Sequence, residues 1–243
     1  RPLALIDLRW QTPTVTRIPL TVLPPSEGSP MGVATLANGR VFLSIWSTNP
    51  AATSPVEVTP SSGQQRVLAG ANPLEPFHLI ESSAERNVVV LSDANCTQTY
   101  DVAADAFGPC VDRSVGRVSV DATGQQVLVG QEIYSPSMTL LRPIPTTDGT
   151  VPDVLRPTLI SPDGAHVYAF EGPGNGFVRS SASTGEVVDR TPVPQTVVNV
   201  MDMQISQDGR WLTIVGASNN LFFYRGNTLL VVDLLAPTAV YAR

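Results

Sequence analysis

The feature that most constrains this chain is an internal repeat. Five stretches share one pattern: an apolar run, a short polar turn, and a second apolar run. They are Val33–Leu43, Leu79–Leu91, Val118–Val129, Leu159–Tyr168 and Met203–Leu212. The turns centre on Gly39, Glu85, Gly124, Gly164 and Gly209, at intervals of 46, 39, 40 and 45 residues. Gly follows Asn or Asp in three of them, because a tight hairpin needs a residue that tolerates positive φ. The second repeat has Ala84-Glu85-Arg86-Asn87 there and predicts a longer or differently shaped turn. Asp121, Asp163 and Asp208 recur at these turns with one carboxylate each, which suits turn formation better than a calcium loop.

Each unit carries a second half. Val178–Ser181 and Glu186–Arg190 flank Ser183-Thr184-Gly185, and Thr228–Leu234 precedes Ala239-Val240-Tyr241. Helical periodicity is absent, and 22 Pro and 18 Gly cut the apolar runs to strand length. A period near 40 with several strands per unit predicts an all-β chain, a β-propeller of four-stranded antiparallel blades. The opening residues fit only the second half of a unit, since Leu5-Ile6-Asp7-Leu8 matches Val231-Val232-Asp233-Leu234. The expectation is a single domain over 1–243: a leading half-blade at 1–20, then five full blades at 30–70, 76–112, 115–146, 156–194 and 200–243. Five and a half blades imply a portion of a longer chain whose ring has six or seven blades. The alternatives are a partner chain that supplies the rest, and an open ring with covered edges.

Ser161-Pro162-Asp163-Gly164-Ala165-His166-Val167-Tyr168, followed by Ser183-Thr184-Gly185-Glu186-Val187-Val188, resembles the YVTN-type propeller repeat of bacteria and archaea. Pro30-Met31-Gly32-Val33-Ala34 is similar to the start of that repeat's innermost strand. The resemblance is sharp in the first and fourth blades. It implies a periplasmic, secreted or cell-surface protein and transfers a fold, not a catalytic residue.

Composition narrows the chemistry. All 15 basic residues are Arg, which excludes Schiff-base catalysis and a lysine-dependent phosphate loop. A formal net charge of −6 argues against a nucleic-acid surface. Two His offer little for a metal centre or haem, so no metal or cofactor is expected. No apolar run is long enough to span a bilayer. Cys96 and Cys110 are read as a disulfide, because Tyr100–Asp105 looks like a hairpin that brings them together; two buried free thiols are the alternative. A disulfide would imply an oxidising compartment.

Loops between blades hold the candidate site. Glu75, His78, Asp153, Arg156 and Asp202 would converge near the axis as a polar pocket for an anionic or polar ligand, against the plainer reading that they satisfy loop backbone. His166 fits a hydrogen-bonding strand residue. Phe222-Phe223-Tyr224 is read either as an extra hairpin or as a partner-binding patch. Gly172–Gly176 lacks a following helix and does not suit phosphate. No hydrolase elbow, Walker loop or zinc-helix motif is present. The expected function is a non-catalytic extracellular binding or scaffold module within a larger surface protein. Its partner would be a protein, a glycan or the rest of its own chain, without nucleic acid or membrane insertion. The competing readings are a lactonase-like hydrolase and a self-associating layer or filament subunit.

Overall fold

The structure, a computed structural model, describes residues 2–7, 14–22, 29–46, 53–72, 79–93, 95–111, 118–144, 158–172, 176–192, 199–217, 227–235 and 239–242. Among them there is no helix, and none therefore long and apolar enough to cross a membrane.

The all-β expectation holds. β1 (Pro2–Asp7) and β2 (Thr14–Pro19) form an antiparallel hairpin. Five antiparallel meanders of four strands follow among the described residues. The first sheet is β3 (Ser29–Thr35), β4 (Val41–Trp46), β5 (Val56–Val58) and β6 (Gln65–Val67). The second is β7 (Leu79–Ser82), β8 (Val88–Ser92), β9 (Thr97–Asp101) and β10 (Ala106–Phe107). The third is β11 (Val118–Val120), β12 (Val127–Val129), β13 (Glu132–Tyr134) and β14 (Leu140–Pro143). The fourth is β15 (Thr158–Ile160), β16 (His166–Gly172), β17 (Gly176–Ser181) and β18 (Val187–Thr191). The fifth is β19 (Asn199–Ile205), β20 (Trp211–Ala217), β21 (Asn227–Asp233) and β22 (Ala239–Ala242).

The chain divides into two compact units, Arg1–Ser82 with Arg86–Arg113, and Ser83–Glu85 with Ser114–Arg243. In the first unit the hairpin packs Ile18 and Leu20 onto Val41, Leu43 and Ile45 of the first sheet. The opposite side of that sheet, Ala34 and Phe42, packs onto Val89, Leu91 and Tyr100 of the second. In the second unit Leu128 and Ile133 of the third sheet meet Ile160 and Val167 of the fourth. Tyr168, Phe170 and Phe177 of the fourth meet Leu212, Ile214 and Leu230 of the fifth. These seams share one polarity. Because side chains alternate across a strand, the second-strand residue paired with the last residue of the first strand (Val41, Val89, Val167 and Leu212) packs on the preceding element, and the next residue, as Phe42 and Tyr168 show, packs on the following sheet. We call these the upstream and downstream faces.

The turns repeat as well. The residue four places after the end of each first strand is left-handed: Gly39, Arg86, Gly124, Gly164 and Gly209, with φ of 78°, 60°, 73°, 69° and 71°. This corrects the second repeat. Its turn is not longer, since the pair Ser82–Val89 is spaced like Val120–Val127, Ile160–Val167 and Ile205–Leu212, and its special position is Arg86 rather than Glu85. An ordinary L-residue reaches the left-handed region at about 1–2 kcal/mol, which the flanking ladder holds in place. The first turn is the short one, with Thr35 paired to Val41.

Asp121 serves its turn as expected, but from a different position. Its Oδ1 accepts from the N–H of Gln126 at 3.1 Å, as the hydroxyls of Ser161 and Ser206 accept from His166 and Trp211 at 2.9 and 2.8 Å. It is thus the counterpart of those serines, not of Asp163 and Asp208. Those two accept instead from the N–H groups of Ala165 and Arg210, and Asn38 does the same for Arg40. A hydrogen bond from Ser161 holds the Asp163 carboxyl below the usual range. Turn backbones are also bonded to one another: Ala37 N–H to the Arg86 carbonyl (2.8 Å) in the first unit, and Glu85 to Ala122 (2.9 Å) and Ala122 to Pro162 (2.8 Å) in the second.

Candidate functional site

Of the loop residues expected to converge, only Asp202 lies among the described residues. It sits in β19 beside a register shift, half-buried, with Oδ1 accepting from the Met203 N–H at 3.0 Å. Glu75, His78, Asp153 and Arg156 lie outside the described residues, as do Phe222, Phe223 and Tyr224. Cys96 and Cys110 are bonded, with Cα atoms 5.5 Å apart. The expected hairpin joins them: β9 and β10 pair, and Thr97 exchanges two backbone hydrogen bonds with Val111. The described residues contain no group of three or more His, Cys, Asp or Glu able to hold a metal ion.

A different constellation emerges in the first unit. Glu57 sits mid-strand in Val56-Glu57-Val58, paired across to Arg66 on one side and Phe42 on the other. Its side chain is only 2% exposed. A carboxylate buried to that degree must be paired. Arg66 supplies a fork, Nε to Oε1 at 3.1 Å and Nη2 to Oε2 at 3.0 Å, and the Arg40 guanidinium bonds Oε1 from the other side. Arg66 extends the chain, donating Nη1 and Nη2 to the two carboxylate oxygens of Asp105 at 2.6 Å each. Asp105 stands in the β9–β10 turn with φ 53°. The Tyr100 hydroxyl donates to Asp105 at 2.6 Å, while its ring packs between Phe42 and Phe107 in the core.

The electrostatics follow from these contacts. Arg66 first, and then the Tyr100 hydroxyl, hold the Asp105 carboxyl down at about 2. Burial first, and then Asp105, raise the Tyr100 phenol well above its ordinary value. Arg66 is raised by Asp105 and Glu57. The cluster joins two carboxylates to two guanidiniums, so its formal charges balance. Asp105 stays ionised and Tyr100 stays protonated, so neither is poised to exchange a proton near neutrality. Arg40, Glu57, Thr59, Gln64, Gln65 and Arg66 line an open polar cleft. Gln65 also binds the leading hairpin: its amide nitrogen donates to the Pro19 carbonyl at 2.5 Å, and its oxygen accepts from the Thr21 N–H at 2.9 Å. The cluster is thus a clasp between a sheet, its neighbour's outer turn and the hairpin.

Sequence reading missed this cluster. The sequence carries no signal for it: Glu57 alternates with Val56 and Val58 between polar and Pro residues, a pattern that equally fits a solvent-facing carboxylate.

No family model and no curated protein matches the chain. Among solved structures, a chain of Kuenenia stuttgartiensis hydrazine synthase is similar, with a TM-score of 0.61 and 15% identity, over 91% of this chain and 67% of that one. At that identity the likeness speaks to fold alone.

Proposed function

We propose that the repeated sheets are blades of a propeller of the YVTN type, and that the chain is a non-catalytic binding or scaffold module of an extracellular or cell-surface protein. The observation that carries the reading is a regularity repeated within each unit: neighbouring sheets pack downstream face to upstream face, and first turns are bonded to one another, Ala37 to Arg86 in one unit and Ala122 to Pro162 in the other. Such packing gives a rigid frame that presents loops. The charged cluster supports the same reading, because its described groups are committed to one another and act as a clasp. The disulfide supports an oxidising location. Contacts to a protein or glycan would be made by the loops between sheets, where Glu75, His78, Asp153 and Arg156 fall in the sequence.

A lactone and ester hydrolysis panel with added divalent metals tests the reading, run beside a glycan array. The expected result is no turnover, with saturable binding to a protein or glycan class. Turnover that His78→Ala abolishes would overturn it in favour of a hydrolase.

A further inference from the structure

The clasp in the first unit leaves one donor edge unused. Arg40 gives only Nη1 to the buried Glu57 carboxylate. Its Nε and Nη2 have no hydrogen-bond partner among the described residues, and neither is sealed from solvent. On a guanidinium, Nε–H and the adjacent Nη2–H form the side-on fork that meets a carboxylate with two parallel hydrogen bonds. Arg66 uses that same edge on Glu57 and gives its other donors to Asp105. Arg66 is thus shared between two carboxylates, whereas Arg40 meets one and its side chain is 40% exposed. The same cleft holds two more open groups. The Thr59 hydroxyl and the Gln64 side-chain amide line it without a hydrogen-bond partner among the described residues. Both residues sit on a turn closed by its own backbone, Thr59 N–H to the Gln64 carbonyl and Gly63 N–H to the Thr59 carbonyl, at 2.8 Å each. The Arg40 backbone is pinned as well, its N–H donating to Asn38 Oδ1 at 3.0 Å. No described apolar side chain lines the cleft.

We propose that this cleft binds a sugar acid, a carboxylate carried on a hydroxylated ring, with the Arg40 fork on the carboxylate and Thr59 and Gln64 on the hydroxyls. A hydroxyl and a side-chain amide each donate and accept, which is what neighbouring sugar hydroxyls require. The all-polar lining offers nothing to an apolar side chain. The formal charges of the clasp balance, so the exposed Arg40 offsets one added negative charge, a carboxylate rather than a phosphate dianion. Glu57 holds the guanidinium before a ligand arrives, and that pre-ordering lowers the cost of binding. The inference rests on the binding-module reading and gives it a ligand class, at a place other than the loops between sheets. A uronate within a glycan and a free sugar acid share this chemistry.

NMR titration of the full chain, read on the arginine Nε–Hε resonances, tests this. Glucuronate, glucose, acetate, an aspartyl peptide and a glucuronate oligomer are the separate probes. The variants are Arg40→Lys, which keeps a cation for Glu57 and loses the fork, and Gln64→Ala, which lies outside the clasp. Circular dichroism checks that each keeps its strand spectrum; should Arg40→Lys lose it, the Arg40 resonance and Gln64→Ala decide. Glucuronate is expected to saturate in the millimolar range and to shift the Arg40 resonance, binding about tenfold tighter than glucose or acetate. Arg40→Lys should weaken it about tenfold and Gln64→Ala about threefold. An oligomer that binds more tightly than glucuronate assigns the cleft to a glycan, and equal affinity assigns it to a free sugar acid. Saturation by neither overturns the inference. Acetate or the aspartyl peptide bound as tightly as glucuronate also overturns it, because the hydroxyl partners would then count for nothing. Binding that both variants leave unchanged overturns it too, while the binding-module reading stands. Turnover in the hydrolysis panel is a failure of the other kind, since it removes the non-catalytic reading without touching this cleft.

Discussion

The seam between the first and second sheets and the seam between the fourth and fifth solve one problem with different chemistry. In the second unit, Tyr168, Phe170 and Phe177 fill the gap against Met203, Leu212, Ile214 and Leu230, and apolar contact is the main bond. In the first unit the core is smaller at this level, with Phe42 against Tyr100 and Phe107, and the outer strands are held by Arg40, Glu57, Arg66 and Asp105. The disulfide is in that same unit. An apolar seam tolerates acid and salt, because its driving force is non-directional and uncharged. A clasped seam fixes one register, but its strength depends on the ionisation of a few groups.

Four perturbations would break or sharpen that contrast. Phe170→Ala should cost about 4 kcal/mol by removing a buried ring from the apolar seam, read as a lowered denaturant midpoint. Loss of less than about 1 kcal/mol would mean that the fourth–fifth seam is not the main bond there. Replacing both cysteines by serine should cost about 3 kcal/mol, as expected for a loop of this length, and should destabilise the first unit selectively by hydrogen exchange. Glu57→Gln should cost about 2 kcal/mol, reduced from the fully buried case because both arginines are partly exposed. Raised salt should weaken the wild type's first unit and leave the variant less affected. Arg86→Gly should be the smallest effect, a gain of about 1 kcal/mol from relieving a left-handed side chain.

Acid should separate the two seams in the same way. Asp105 is held at about 2 in the folded protein, against an unfolded aspartate near 4. Its folded value is depressed, so its contribution is full above about pH 4 and is lost as pH falls toward about 2. Amide exchange should therefore show the β9–β10 turn loosening across that window while β20 and β21 hold. Equal loss in both would show that the Asp105 contact is not what distinguishes them.

The repeat made the strand order, the turn glycines and the cysteine pair legible, since each rests on local spacing or on a hairpin of known reach. The finer turn frame is less legible because it lies in the backbone. Arg86 fills a glycine's place without resembling one, and Asp121 does the work of Ser161 and Ser206 through its carboxylate. The clasp was illegible for another reason. Its members run from Arg40 to Asp105 and meet only when a strand, its neighbour and a turn of the next sheet are assembled. No spacing rule encodes that, and only the burial of Glu57 in the assembled sheets shows that a partner was required.

The central claim is that these sheets are blades around one axis. A crystal structure of the chain tests it most directly. The account predicts that the first strands β3, β7, β11, β15 and β19 line a common axis, each sheet turned by a similar angle from the last. First strands sharing no axis, with the sheets stacked as separate sandwiches, would contradict it.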